Sequence, residues 1–414
     1  MARSPRPETI TMNLDNPAHG GTVIGRIDGQ VVFVSGGLPG ETGVRVELAP
    51  QKTSSSRKGF RTGRVISVEK PSPYRIPARC AAAAAGGGCC DLDFVDGVGS
   101  LEYKKAVVVD QLRRIGKIVI EGNIPCDGVS LSPQVGWRTR VRLGVDKTGR
   151  AGVRRKASRE VIPLEQAQCA QWAQGLVAGL ENERFTPGSE IAVALGDSGE
   201  RSVVELTGNR RHRHSRVVGG HETVAHRLTR VPEVEWQIEP QGFWQGHRAA
   251  PDFYTQWIGE VIPAGHGSAW DLYGGAGVFS SVLSGRVDWV DCVDHASQAS
   301  MEGARALAAA GLDNVRFVDG DVAHSLDRLR VRTGLHAVVI DPPRVGAGID
   351  VIARVAAYEP NHVVHIGCDP ATAARDLGAW ISAGYQLEKL TVVDAFPLTH
   401  HVEILAYLTP AASS

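Results

Sequence analysis

From residue 237 onward, short apolar runs and helix-patterned stretches take turns along the chain. "SAWDLYGG", "VDWVDCVD", "VRFVDGD", "HAVVIDPPR" and "HVVHIGCD" are each about one strand long, and stretches such as "ASQASMEGARALAAAGL" lie between them. This alternation predicts a parallel sheet with helices on both faces, a Rossmann-like α/β domain over residues 237–414. The closing pair "LEKLTVVDAF" and "VEILAYL" has no long helix between its members, which predicts an antiparallel hairpin at the sheet edge.

At 414 residues the chain exceeds one ordinary core, and two further regions precede that domain. Residues 8–70 alternate β-rich runs with glycine turns and predict a small β-barrel. Residues 71–236 are a mixed α/β region. There "SLEYKKAVVVDQLRRIG" sets Leu101, Ala106, Val109 and Leu112 at helical spacing, and "WRTRVRLGVDKTGRAGVRRKAS" alternates like a hairpin. No run has the apolar length of a membrane span, and the first residues lack a signal peptide's apolar centre, so a cytoplasmic protein is expected.

The formal net charge of zero hides an asymmetry: residues 1–230 hold 34 Lys and Arg against 23 Asp and Glu. A polyanion such as nucleic acid is drawn to that half. Two segments concentrate the charge, the insert "QKTSSSRKGFRTGR" and the cluster Arg210–Arg216, although solvated surface would look the same. Seven cysteines, an odd number, argue against a disulfide framework and leave thiols, metal ligands or a nucleophile.

"DLYGGAGVFS" places Asp271 at the end of the domain's first strand, with Gly274, Gly275 and Gly277 in the turn behind it. The glycines allow close backbone approach to a ligand. A dinucleotide motif would have a third glycine where Ser280 stands, and Asp271 would repel a pyrophosphate. Asp294 and Asp321 follow at the ends of the next two strands, an order that suits the amino acid, ribose and adenine of S-adenosylmethionine. Each acid alone would read as a turn residue or helix cap.

The fourth strand ends in Asp341-Pro342-Pro343, with Arg344 where some amino-group methyltransferases carry an aromatic residue. The fifth ends at Cys368, followed by Asp369 as N-cap and Pro370 as first helical residue. A helix N-terminus favours a thiolate and Asp369 opposes it, so a buried inert cysteine stands level with a nucleophile. Chemistry separates them. Carbon 5 of uracil attacks a methyl sulfonium only after a nucleophile adds to carbon 6, and a base must then take the carbon-5 proton. His400, His401 and Glu403 supply titratable groups near the chain's end.

"FWQGH", "DLYGGAGVF", "DPPRVG", "GCDPATAARDL" and "FPLTHHVE" occur in the order found in the RNA uracil-5-methyltransferase family, which the chain resembles over nearly its whole length. The resemblance implies a class I S-adenosylmethionine-dependent methyltransferase with Cys368 as nucleophile and Glu403 as base, and with Asp341 orienting cofactor and base. It assigns cofactor contacts to Gln245, Tyr273, Val278, Asp294, Asp321 and Asp341. Residues 8–70 resemble a TRAM domain, an OB-like RNA-binding barrel, which favours ribosomal RNA (23S) as partner over tRNA and implies no protein partner. Members built this way hold a four-iron four-sulfur cluster, here implied on Cys80, Cys89, Cys90 and Cys169. The family run is C-x5-C-G-G-C; "CAAAAAGGGCC" lacks its middle cysteine and offers adjacent Cys89 and Cys90, which leaves zinc or no metal open. An enzyme acting on an exocyclic amine, or a non-catalytic RNA-binding factor, remain the rival readings; neither needs Cys368.

Overall fold

The computed structural model describes residues 8–50, 59–120, 126–208 and 212–412. Its largest sheet has eight strands: β1 (Cys126–Ser130), β2 (Ser268–Leu272), β3 (Trp289–Asp294), β4 (Val315–Asp319), β5 (Leu335–Ile340), β6 (His362–Gly367), β7 (Tyr385–Asp394) and β8 (Glu403–Pro410). Their spatial order is β4-β3-β2-β5-β6-β8-β7-β1. The five strands from β2 to β6 run parallel, and β8 returns antiparallel between β6 and β7. Every residue of β2 and β5 is buried, which is why both read as unbroken apolar runs. One face packs Trp270, Ile340 and Trp380, and the other packs Trp257, Phe279 and Val339.

Two expectations are corrected here. The β7–β8 hairpin is antiparallel but is not the sheet edge, because β1 arrives from the middle of the chain and pairs parallel with β7. The helix Gly97–Gln111 forms, but it buries Tyr103, Lys104, Val107 and Val108, while Ala106 faces outward. The reason is Lys104. Its ammonium is fully buried, 2.5 Å from the equally buried Asp394 carboxylate, and it donates to the Phe396 carbonyl at 3.1 Å. Ser100 adds a 2.6 Å hydrogen bond to the other Asp394 oxygen. A lysine inside the apolar face disguises that face in the sequence.

Six strands, five between Thr9 and Leu48 and the sixth Phe60–Ser67, form a sheet packed on Val23, Val32, Val34, Val44 and Val46. The buried Glu41 carboxylate, held by Arg75, joins this sheet to the next segment, and Tyr103 donates its hydroxyl to the Ala18 and Thr22 carbonyls. A second six-stranded sheet contains the expected hairpin, Arg140–Val145 with Ala151–Arg154. Of the two basic segments, residues 51–58 and 209–211 lie outside the described residues; Phe60–Ser67 and Arg213–Gly219 are strands. Among the described residues no helix is long and apolar enough to cross a membrane.

Lys104→Ala leaves Asp394 buried without its cation, so stability falls by about 3–5 kcal/mol, measured as a lower urea midpoint. Removing both charges, with Lys104→Met and Asp394→Leu, recovers much of that loss.

Candidate active site and cysteine centre

The crevice opens at the carboxyl ends of β2 and β5, where successive connections leave in opposite directions and α/β sheets bind ligands. Behind β2 the chain turns through Tyr273, Gly275 and Gly277, all with positive φ (63°, 55° and 71°), before the helix Val278–Leu283. Gly274 has no room for a side chain: an added Cβ would lie 2.5 Å from the Cys292 sulfur and 2.7 Å from Asp271 Cγ. Asp271 is fully buried. One carboxylate oxygen accepts from the Ser280 amide (2.8 Å) and hydroxyl (2.7 Å), and the other has no partner among the described residues. Burial, opposed by the Ser280 bonds, pushes its pKa up to about 6. A buried, unpartnered carboxylate oxygen beneath a glycine loop fits the ammonium end of an amino-acid-bearing ligand.

Asp294 accepts from the Gly275 amide at 3.0 Å and the Ala296 amide at 2.7 Å, so it also braces the glycine loop. Asp321 is exposed and N-caps the helix Val322–Ser325, the plain role of an acid there. The Tyr273 hydroxyl is pushed up to about 12 by burial and by the charges of Asp321 and Asp376. Gln245 is half-buried in the segment before the helix Ala250–Val261. Its two aromatic neighbours separate: Trp244 is core, stacked on His226 at 4.5 Å, whereas Phe243 is 71% exposed.

Strand register brings the reacting set together. Gly367 on β6 pairs with Ile404 on β8, so the next residue along one strand, Cys368, comes opposite the preceding residue on the other, Glu403. Ile340 pairs with His365, which sets Asp341 beside them at the end of β5. Asp369 N-caps the helix Pro370–Ser382 through the Ala371 and Thr372 amides, as expected. That helix holds the loop after Asp341 through Thr372, Arg375 and Asp376, which bind the Arg344 carbonyl, Val345 carbonyl and Ala347 amide.

The charge state differs from the thiolate expected of a helix N-terminus. Burial, then Glu403 and Asp341, push the Cys368 thiol up to about 12, and Arg344 opposes them. Glu403 is raised well above the carboxylate range by burial and by Asp341. Asp341 is raised to about 7 by burial, Asp271 and Asp294. Burial and the neighbouring acids thus favour the thiol form of Cys368 and the protonated forms of Asp341 and Glu403. Sequence reading missed Tyr254, whose fully buried hydroxyl has no partner and whose pKa is raised by burial and by Glu403, Asp341 and Cys368. Its one sequence signal is an aromatic residue on the helix that follows Gln245.

Glu403 is delivered by the β7–β8 connection, residues 395–402, and other parts of the chain hold that loop. Leu398, at φ 72°, is buried among Cys80, Cys90 and Cys169, and its carbonyl accepts from the Leu92 amide at 3.0 Å. Asp91 accepts from the His400 amide at 2.9 Å and also bonds its imidazole. Trp137 donates to the Pro397 carbonyl at 3.2 Å. The N-terminal sheet reaches the same mouth, where His19 pairs with Asp369 at 3.1 Å. A cavity of about 750 Å³ lies on the cysteine side of this mouth, not over the glycine loop. Arg138, Arg142, Lys156, Arg159 and His401 are among its lining residues.

The four cysteines implied as ligands do assemble, their sulfurs all within 4.8 Å of one another; Cys126 and Cys292 stand apart on β1 and β3.

Residues 190–410 match a family model described as tRNA (uracil-5-)-methyltransferase. A chain described as an uncharacterized RNA methyltransferase in Corynebacterium efficiens is 41% identical over 97% of this chain and 95% of its own length. The 23S rRNA (uracil(1939)-C(5))-methyltransferase RlmD of Methylococcus capsulatus is 31% identical over 98% of each. The crystal structure of the Pyrococcus abyssi tRNA (uracil-54, C5)-methyltransferase with S-adenosyl-L-homocysteine shares the fold, with a TM-score of 0.69 and 19% identity over 96% of this chain and 99% of that one.

The raised thiol is directly measurable. Alkylation of Cys368 in the free protein, followed by peptide mass spectrometry, is expected to run about a hundredfold or more below an exposed cysteine at pH 8. Its rate should climb with pH beyond pH 9, because only the thiolate reacts. Glu403→Gln removes a negative neighbour, lowers the thiol pKa and speeds alkylation at pH 9. A Cys368 that alkylates like a free thiol at pH 8 contradicts the assignment.

Proposed function

The chain belongs to the tRNA (uracil-5-)-methyltransferase family of S-adenosylmethionine-dependent RNA uracil-C5 methyltransferases, and from that premise we propose that it methylates carbon 5 of a uridine in 23S ribosomal RNA. The observation that carries the chemistry is the register of β6 on β8, which sets Cys368 against Glu403 with Asp341 alongside. Ribosomal RNA is favoured by the relative from Methylococcus capsulatus, which is similar from end to end, and by the N-terminal β-sheet module, read as a TRAM-like barrel. The family description names tRNA, which is therefore the competing substrate.

When bound, S-adenosylmethionine supplies an electrophilic methyl sulfonium. Asp271, Gly275 and Asp294 would hold its amino acid and ribose, with Tyr273, Val278, Asp321 and Gln245 around the remainder. Charge relief by the bound sulfonium would leave Asp341 and Glu403 able to ionise; the Cys368 sulfur adds to carbon 6 of the uracil and its proton passes to Asp341, which keeps Glu403 free as the later base. Carbon 5, now enolate-like, takes the methyl group. Glu403 then removes the carbon-5 proton, the carbon–sulfur bond breaks, and Cys368 is restored. One proton leaves per turnover. Carbon 6 has to be met from the face of the ring, so the uridine must be unstacked from its neighbours. The basic cavity beside the mouth suits the adjoining phosphates: Lys156 and Arg159 form no ion pair among the described residues, and phosphate contacts position without specifying sequence.

The test is methyl transfer from labelled S-adenosylmethionine to unmodified 23S ribosomal RNA and, separately, to tRNA, with the product mapped by mass spectrometry. 5-Methyluridine in 23S RNA, abolished by Cys368→Ala, is expected. 5-Methyluridine in tRNA alone would transfer the assignment to that substrate. Methylation of an exocyclic amine, or full activity in Cys368→Ala, would contradict the mechanism.

A further inference from the structure

The cysteine quartet has a spacing that distinguishes between metal centres. Cys80 and Cys89 sulfurs are 3.7 Å apart, Cys80 and Cys169 3.9 Å, and Cys90 and Cys169 3.6 Å. These separations are far beyond a disulfide bond, and all four cysteines are free. Four thiolates at about 2.3 Å from one tetrahedral ion stand roughly 3.8 Å from each other. A four-iron cubane holds each thiolate outside its own iron and spreads the four sulfurs to roughly 6 Å. The quartet matches the first geometry and not the second.

On its inner side the quartet is closely packed. Ala82, Ile162, Ala167 and Leu398 are buried against the sulfurs, and Cys80 itself is 2% exposed. Six residues after Cys80, where the C-x5-C run would place its next ligand, stands Gly86. A Cβ there would lie 2.4 Å from the Arg155 guanidinium, which also donates to the Ala85 carbonyl at 3.1 Å. Gly86 itself sits at φ 95°, a conformation that disfavours a cysteine there, and the fourth sulfur comes from Cys90. Two donors face the thiolates as an outer shell: the Ala83 amide reaches Cys80 at 3.4 Å, and the Gln171 amide nitrogen reaches Cys90 at 3.2 Å.

We propose that Cys80, Cys89, Cys90 and Cys169 bind a single tetrahedral ion of the zinc class, in place of the four-iron four-sulfur cluster that the family resemblance implies. Four protein thiolates leave no open coordination position, so the ion is structural. What it fixes is the segment Cys89–Leu92, and through Asp91 and Leu92 the loop that carries Glu403. The proposal does not depend on which RNA base the crevice serves.

The full chain, purified without oxygen and without chelators, should contain about one zinc and no acid-labile sulfide. Replacement by cobalt should give the intense visible absorption of a tetrahedral thiolate site, lost in Cys90→Ser. About four irons with matching sulfide, or no bound metal, would overturn the assignment, as would a complete iron–sulfur complement retained in Cys90→Ser. Hydrogen exchange reads the second part of the claim. Chelation should speed exchange of the backbone amides in residues 395–402 by about tenfold or more, while β2 stays protected as evidence that the fold persists. Unchanged exchange in that loop would overturn the link to Glu403.

Discussion

The loop that ends at Glu403 is tied into the molecule by parts of the chain far from it in sequence. Residues 395–402 join β7 to β8 and end at Glu403, yet their anchors come from elsewhere: Lys104 on the Phe396 carbonyl, Trp137 on Pro397, Leu92 on Leu398 and Asp91 on His400. Leu398 is a β-carbon-bearing residue in the left-handed region, a conformation that persists only where surrounding contacts impose it. The N-terminal sheet, through His19 on Asp369, and the cysteine segment, through Asp91 and Leu92, therefore both reach this mouth. They complete the site from the side that the parallel sheet leaves open.

Electrostatics adds a second constraint. Asp271, Asp341 and Glu403 are buried in one region near Cys368, and burial first, then the negative charge of neighbouring acids, raises their carboxyls. Arg344 is the nearby cation that opposes this trend. A cationic ligand entering beside these acids relieves the same repulsion, so binding of a sulfonium and readiness of the thiol to ionise are coupled through charge.

The parallel sheet was legible because strands buried on both faces must be apolar throughout, and their terminal acids and glycines follow from the same register. β1 was not legible: "CDGVS" is short and half-polar, and only its pairing with the β7 backbone makes it a strand. The helix Gly97–Gln111 was legible as a helix but not in its orientation, since periodicity counts Lys104 as polar and cannot see the carboxylate 290 residues away. Tyr254 was hidden for a related reason, because an aromatic residue on an amphipathic helix reads as core, which it also is. Cysteine identity was readable, while the charge state of Cys368 needed neighbours that come together only in the fold. The quartet's membership followed from motif context, and its spacing from three dimensions alone.

The account rests on Cys368 attacking before Glu403 acts, and one measurement separates the two steps. Glu403→Gln is mixed with S-adenosylmethionine and a 23S ribosomal RNA fragment, and the mixture is resolved by denaturing electrophoresis. The account predicts a protein–RNA adduct that survives denaturation, already methylated at carbon 5 and attached at Cys368, because elimination stalls without the base. Free 5-methyluridine released at the wild-type rate, or a failure to form any adduct while cofactor and RNA still bind, would contradict it.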